Sequence, residues 1–234
     1  MLIFQNKPLL QALFWSLLTI GVYFVGKKLY RRTPSWWASP LVVAPLLLIL
    51  TALTLHVTYG DYIRGTHWLV SLLAPATVAF AVPIYEKRVL IRQNWLLLVI
   101  GVVVGSVTAV VSSWGLADLF GLNDSMRLSL LPRSISTPFA MVVSGDIGGM
   151  PGLTAVFVVI TGVIGAAIGE GLLYVLPFRS VLARGALFGM GAHGAGTAKA
   201  HLIDSEVGTI AGLVMVLSGL LNVLVAPLFV YFLR

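Results

Sequence analysis

The residues best suited to chemistry fall in two stretches, 130-LLPRSISTPFAMVVSGDIGGMPGLTA-155 and 189-GMGAHGAGTAKAHLIDSE-206. In the first, Arg133 stands beside the hydroxyls of Ser134, Ser136 and Thr137, while Pro132, Pro138, Pro151 and several glycines interrupt an otherwise apolar run. A hydroxyl at Thr137 followed by Pro138 fits a helix start, whose free N–H groups and dipole attract anions. Arg133, just upstream, supplies a bidentate contact for a carboxylate. The same residues also read as a plain kink at Pro138, with Arg133 snorkelling to an interface. In the second stretch, His193, Thr197 and Lys199 bring polarity to a run of small residues. His193 reads either as a ligand or proton carrier, since imidazole titrates near neutral pH, or as a neutral ring bonded to a nearby carbonyl. Lys199 reads as a charge partner for an anion or as an interfacial anchor.

Other polar residues have simpler readings. Glu170 is paired inside a helix bundle or reaches the headgroups, and with His193 it is a candidate for proton coupling. Asp146 faces an outer vestibule or holds a turn, Asn222 bonds between helices, and Asp204 with Glu206 caps the last helix. The spacings Gly101/Gly105 and Gly208/Gly212 mark close helix packing, within the chain or in a homo-oligomer. Enzyme constellations are missing from the sequence: no HExxH, GxSxG or GxxxxGK[ST] occurs, and Ser136 with His193 lacks an orienting carboxylate. The chain has no Cys, which excludes disulfides, thiol nucleophiles and thiolate metal sites. The expectation is a protein that is not an enzyme and holds no metal or cofactor.

The elements that must position these residues follow from composition. Of 234 residues, 59% are hydrophobic and 10% charged, against roughly 45–50% and about 25% in soluble domains. Only a lipid bilayer accepts so much outward hydrocarbon. Apolar runs cover 8–26, 38–58, 67–85, 94–117, 151–176, 185–203 and 206–232, with an interrupted stretch at 128–149. They lack the alternation of a membrane barrel. The expected fold is an all-α membrane protein: one polytopic domain over 1–234, with about seven or eight spans and two or more broken or re-entrant helices. The net charge of +7 reads as a topology signal and not as a nucleic-acid surface, because the basic residues sit between apolar runs. Met1 to Gly26 shows no basic n-region with a small-residue cleavage site, so the first run reads as a retained span.

Lys27, Lys28, Arg31 and Arg32, then Lys87, Arg88 and Arg92, then Arg179 and Arg184 mark three cytoplasmic loops. With all three inside, 118–150 begins and ends outside, 128–149 is a re-entrant hairpin, seven spans result and Arg234 lies inside; a full crossing by 128–149 gives eight. On the seven-span reading the runs 67–85 and 94–117 are inverted relative to 185–203 and 206–232. Each pair opens with an interrupted helix, at Pro75 and Pro83 in one and at 189-GMGAHGAG-196 in the other. Inverted pairs with broken helices are a transporter signature.

Three ordered motifs, 73-LAPATVAFAVPIYEK-87, 131-LPRSISTPFAMVVSGDIGGMPGLTAVFVVITGVIGAAIGE-170 and 192-AHGAGTAKA-200, resemble the LrgB/CidB family of bacterial multi-pass membrane proteins, over most of the chain. The resemblance implies an inner-membrane protein acting with a small LrgA/CidA-like membrane partner and related to the plastid glycolate/glycerate translocator. It implies small monocarboxylates of the glycolate, glycerate, lactate and pyruvate class as cargo, or, on the older family reading, control of murein hydrolase export and lysis through a holin-like partner. It marks Ser134, Ser136, Thr137, Pro138, Gly148, Gly149, His193, Gly194, Gly196, Thr197 and Lys199 as motif positions, to which the residue reading adds Arg133. The expected function is a carrier with its site between the breaks at 134–138 and 193–197; the rival is a regulator that transports nothing.

Overall fold

A computed structural model describes residues 8–33, 35–79 and 81–233, which form two compact units, 1–76 and 77–234. Residues 1–7, part of the stretch read for a leader, and Arg234 lie outside the described residues. All regular structure among the described residues is helical. Among the described residues, five stretches are long and apolar enough to cross a membrane: Leu9–Arg32, Tyr59–Glu86, Trp95–Leu119, Pro151–Val175 and Ser205–Leu228. The chain is an all-α, multi-pass membrane protein.

The first unit holds α1 (Pro8–Arg32), a 3-10 turn at Trp36–Ala38, α2 (Pro40–Thr54), α3 (Tyr59–Ser71) and the start of α4 (Leu73–Ala79). Small residues let the helices touch. A Cβ on Gly65 would lie 3.1 Å from Ala12 of α1, and one on Gly26 would lie 3.1 Å from Pro40. Polar side chains then lock α1 to α3: the Trp68 indole donates to Ser16 Oγ (2.8 Å), which donates to the Gly65 carbonyl (3.2 Å).

The second unit continues with α5 (Ala81–Glu86), α6 (Arg88–Gln93), α7 (Trp95–Leu119), α8 (Asp124–Leu130), α9 (Thr137–Ile147), α10 (Pro151–Val175), α11 (Val181–Ile203) and α12 (Ser205–Leu233). Its frame is three long helices, α7, α10 and α12. Between α7 and α10, the chain dips in and returns. A 3-10 turn at Leu131–Ser134 and extended residues at Ile135 and Ser136 reverse it before α9. Gly148, at φ 91°, then ends α9 in the left-handed conformation. The returning chain meets α8: Met150 N donates to Ser129 Oγ (2.7 Å), and Thr154 Oγ1 donates to the Ser129 carbonyl (2.9 Å) with Ser144 Oγ at hydrogen-bond distance (2.7 Å). Residues 124–147 are therefore a helical hairpin whose two ends lie together.

Residues 181–203 form a second hairpin. His193 has φ 37° and ψ −118°, far from helical values, and the chain doubles back there. In a straight helix Gly196 would sit about 12 Å along the axis from Phe188; here a Cβ on Gly196 would overlap the Phe188 carbonyl oxygen. Contacts with α12 run in opposite directions on the two limbs. Gly185 meets Val207 and Ile210, and Gly189 meets Ala211 and Val214, whereas Thr197 meets Gly212 and His201 meets Gly208. Lys199 on the returning limb reaches Glu170 of α10, one residue from the Gly169 that packs on Phe188.

The run 185–203 was expected to cross as one broken span. It enters and leaves at the same end because the reversal at His193 turns one helix length into two half-depth limbs. Consequently α12 runs parallel to α7: Leu98 and Val102 cluster with Ile210 and Val214, and Ser106 bonds Asn222. Its last described turn then lies at the end opposite Arg179, not on the expected cytoplasmic side. The inverted pair is also different from the expected one. It is α7 with hairpin 124–147 and α10 with hairpin 181–203, each a long helix followed by a hairpin inserted from the far end. Lys87, Arg88, Arg92, Arg179 and Arg184 gather at one end of this unit, and Asp118, Asp124 and Asp146 lie at the other with Arg127 paired to Asp118, so the positive-inside bias would orient the basic end to the cytoplasm.

With no native Cys, single cysteines report this arrangement directly. Ser180→Cys and Ser205→Cys should react with an impermeant maleimide from one side of the membrane, and Ser125→Cys and Asp146→Cys from the other. Labelling of Ser180→Cys and Ser205→Cys from opposite sides would restore 181–203 as a crossing.

Candidate functional site

The limbs are short for a physical reason: each hairpin must bring its turn to the middle of the unit. The 11 residues of α9 span about 16 Å, and the limbs of 181–203 span about 15–18 Å. Placed tip to tip, the hairpins together match the roughly 30 Å of a bilayer's hydrocarbon. The tips do meet. The turn at 131–134 contacts α11, and the Arg133 guanidinium lies within electrostatic reach of the His193 ring.

At the first tip, Arg133 is half-buried, and its Nε donates to Ser113 Oγ of α7 (2.9 Å). Ser113 in turn donates to the Ala109 carbonyl (2.7 Å), which fixes the arginine from behind. Among the described residues Arg133 has no carboxylate partner. Ser136 occupies the cap position of α9, with φ −65° and ψ 148°, yet its hydroxyl makes no cap bond. It is 5% exposed, and its Oγ has no hydrogen-bond partner among the described residues. Thr137 and Pro138 form the first turn of α9 and are half-buried. Ser134 faces a tight crevice shared with Ser106 and Asn222, and the Asn222 amide donates to Ser106 Oγ (3.0 Å) and to the Ser218 carbonyl (2.8 Å).

At the second tip, His193 is 4% exposed and its Nε2 also lacks a partner among the described residues. Its ring seats over Gly162 of α10, where a Cβ would lie 2.7 Å from Cε1. Thr197 is already satisfied, donating to the His193 carbonyl (2.9 Å) with Met215 Sδ at 3.9 Å. The Lys199 ammonium is held by Glu170 Oε1 at 2.7 Å, so both charges are spent on each other, along the returning limb from the tip. Asp204 Oδ1 accepts from the N–H groups of Glu206 and Val207 and caps α12.

The expected site residues thus divide. Arg133, Ser136, Thr137, Pro138 and His193 lie at the two meeting tips; Lys199 and Glu170 form a latch between α11 and α10. Gly148 and Gly149 lie at the outer end of the first hairpin. There a Cβ on Gly149 would come within 2.6 Å of Ser144 Oγ and 2.9 Å of Ser129 N, which accounts for glycine without a ligand. Gly196 closes the second hairpin, and Gly194 faces open space. Beside the tips, a cavity of about 480 Å³ opens between the first hairpin, α10 and α11, with Arg133 on its wall. The sequence reading missed Ser113, one serine among several in an apolar helix, and Gly162, whose role depends on the ring opposite.

An uncompensated guanidinium beside two orphaned polar atoms and a helix N-terminus is a binding arrangement for an anion. It offers no nucleophile with an aligned base, and no group of three His, Cys, Asp or Glu able to hold a metal ion occurs among the described residues.

The model of the LrgB-like family matches residues 19–232, so the match takes in both tips. Similar proteins include YwbG of Bacillus subtilis, 40% identical over 92% of this chain and 96% of its own length. Two proteins named holin-like protein CidB are also similar. That of Staphylococcus epidermidis is 31% identical and that of Staphylococcus aureus 30% identical, each over 94% of this chain and 96% of its own length. No solved structure matches the chain.

Packing separates the two glycines of the second tip. Gly196→Ala should force the limbs apart and lower stability by about 1–3 kcal/mol or more, seen as a fall in the melting temperature of the detergent-purified protein. Gly194→Ala should melt within a few degrees of the parent. Equal melting temperatures for the two variants would contradict the hairpin.

Proposed function

The chain belongs to the LrgB-like family, and from that premise we propose that it is a carrier of small organic monocarboxylates in the bacterial cytoplasmic membrane. The observation that carries this reading is Arg133, a cation held at mid-depth by Ser113 with no carboxylate beside it. A charge in that position is expensive and marks a solute path by default. The substrate carboxylate pairs with Arg133 and accepts from Ser136 and the first N–H groups of α9. His193 faces it from the other hairpin and is the group through which a proton would be coupled, while Glu170, tied to Lys199, acts on the position of that hairpin. Because the two hairpins enter from opposite ends, displacement of either opens the tips to one side only, which is the geometry that alternating access requires.

A second reading is favoured by the names of the staphylococcal relatives, holin-like protein CidB. On it the chain binds a small LrgA/CidA-like membrane protein and adjusts murein hydrolase export without transporting anything itself. The two readings separate at the tips, because a regulator has no use for an unpaired arginine at membrane depth.

Uptake of labelled glycolate, lactate and pyruvate into proteoliposomes, with and without the small partner and an imposed pH gradient, tests the carrier. Saturable uptake is expected, with Arg133→Gln lowering it about 10- to 100-fold, the loss of roughly 1.4–2.8 kcal/mol of anion binding. His193→Gln should leave uptake but remove its response to the gradient. If folded protein moves none of these anions in either preparation, the regulator reading takes its place.

A further inference from the structure

Two arginines of the first hairpin lie along one helix. Arg133 is fixed to Ser113 of α7, and Arg127 lies over the next residue, its guanidinium carbon 4.8 Å from the centroid of the Trp114 ring. Arg127 Nη2 then pairs with Asp118 Oδ1, one turn of α7 further toward the outer end. Between the two arginines in sequence is Leu130, which lines the cavity on whose wall Arg133 stands. Asp118, Asp124 and Asp146 would repel an anion arriving at this end. Among the described residues of the second unit, Arg127 is the one basic side chain there that could draw one in.

The Arg127–Asp118 pair is unequal. The arginine side chain is 20% exposed and that of the aspartate 69%. Their separation of 3.3 Å exceeds the roughly 2.7–2.9 Å of a charge-assisted hydrogen bond. An ion pair with so exposed a member stabilises little, so the carboxylate can leave for water while the guanidinium cannot. Asp118 also uses half of the fork it faces. Nε and Nη2 lie on the same edge of a guanidinium, and Arg127 Nε, although buried, has no hydrogen-bond partner among the described residues. A solute carboxylate is not tethered to a helix, and in place of Asp118 it can accept from both N–H groups of that edge at once.

We propose that Arg127 is a second carboxylate-binding residue, an entry station at the outer end where an arriving monocarboxylate replaces Asp118 before it passes to Arg133. This rests on the reading of Arg133 as the anion site and adds to it the residue that receives the substrate from outside.

A carboxylate that reacts can probe the station without transport. In Asp118→Cys a thiol takes the place of the departing carboxylate, and iodoacetate alkylates it, forming a sulfur–carbon bond as iodide leaves and the thiol proton goes to solvent. Rates are followed in the detergent-purified full chain, beside those of the neutral reagent iodoacetamide. Labelling by iodoacetate should saturate with concentration, and excess glycolate should slow it while an equal concentration of chloride does not. Adding Arg127→Gln should lower the iodoacetate-to-iodoacetamide rate ratio about tenfold and remove the protection by glycolate. Arg127→Lys, the second variant should the glutamine fail to fold, keeps the charge but loses the fork, and protection should weaken several-fold. In the chain that keeps Asp118, Arg127→Gln should lower Vmax/KM for glycolate uptake about three- to tenfold.

Labelling that never saturates, a rate ratio unaltered by Arg127→Gln, or protection by chloride equal to that by glycolate would each overturn the proposal. So would protection as strong in Arg127→Lys as with the arginine, which would be attraction without a fork. Glycolate protection in a chain that transports nothing would uphold the carboxylate station and remove the carrier reading, while unaltered uptake in Arg127→Gln without protection would do the reverse.

Discussion

Peptide groups freed from helices at the centre of a bilayer have no water to turn to, and everything in the second unit follows from how two such breaks are accommodated. Each costs several kcal/mol per unsatisfied group if it faces lipid. Both breaks are instead at the tips of hairpins that face one another inside α7, α10 and α12. The first tip is held by Arg133 on Ser113 and by the packing of Ile135 and Phe139 into the core around Val158 and Ala226. The second is held by the His193 ring on Gly162.

The glycines of α10 and α11 set how close this arrangement becomes. Gly162, Gly165 and Gly169 recur along α10 against His193, Gly191 and Phe188, so the face of α10 that carries the second hairpin is nearly bare backbone. His193 keeps a positive φ that L side chains rarely adopt. A positive φ costs a histidine more than it would cost a glycine, so the turn carries backbone strain at His193. Its Nε2 has no hydrogen-bond partner among the described residues. The Lys199–Glu170 pair ties the returning limb to α10 and limits how far the tip can move.

Much of this was legible in the sequence, because prolines, glycines and ionisable residues inside apolar runs break rules that ordinary spans obey. Pro132 and Pro138 announced the first break, the 189–196 glycines the second, and Arg133 and His193 the residues worth placing there. The reversal inside 181–203 was not legible. Its 23 residues have the length of one span, and a single residue's φ and ψ turn that length into two limbs. Every consequence of that turn was hidden with it: the direction of α12, the true inverted pair, and the meeting of Lys199 with Glu170 across 29 positions of sequence. Ser113 was hidden differently, since a serine in an apolar helix commonly bonds its own backbone, as Ser113 also does.

The balance of charge at the tips bears on what kind of anion suits them. Arg127 is partnered by Asp118 at 3.3 Å and by the face of Trp114, 4.8 Å from its ring centroid, and Lys199 is partnered by Glu170. Among the described residues, Arg133 alone reaches the meeting point without a counter-charge. A monoanion brings that point to neutrality, and desolvating a matched pair is tolerable where its remaining lone pairs find Ser136 and the α9 N–H groups. A dicarboxylate would leave one negative charge at mid-depth with no cation to meet it, and a neutral solute would leave the guanidinium as it is.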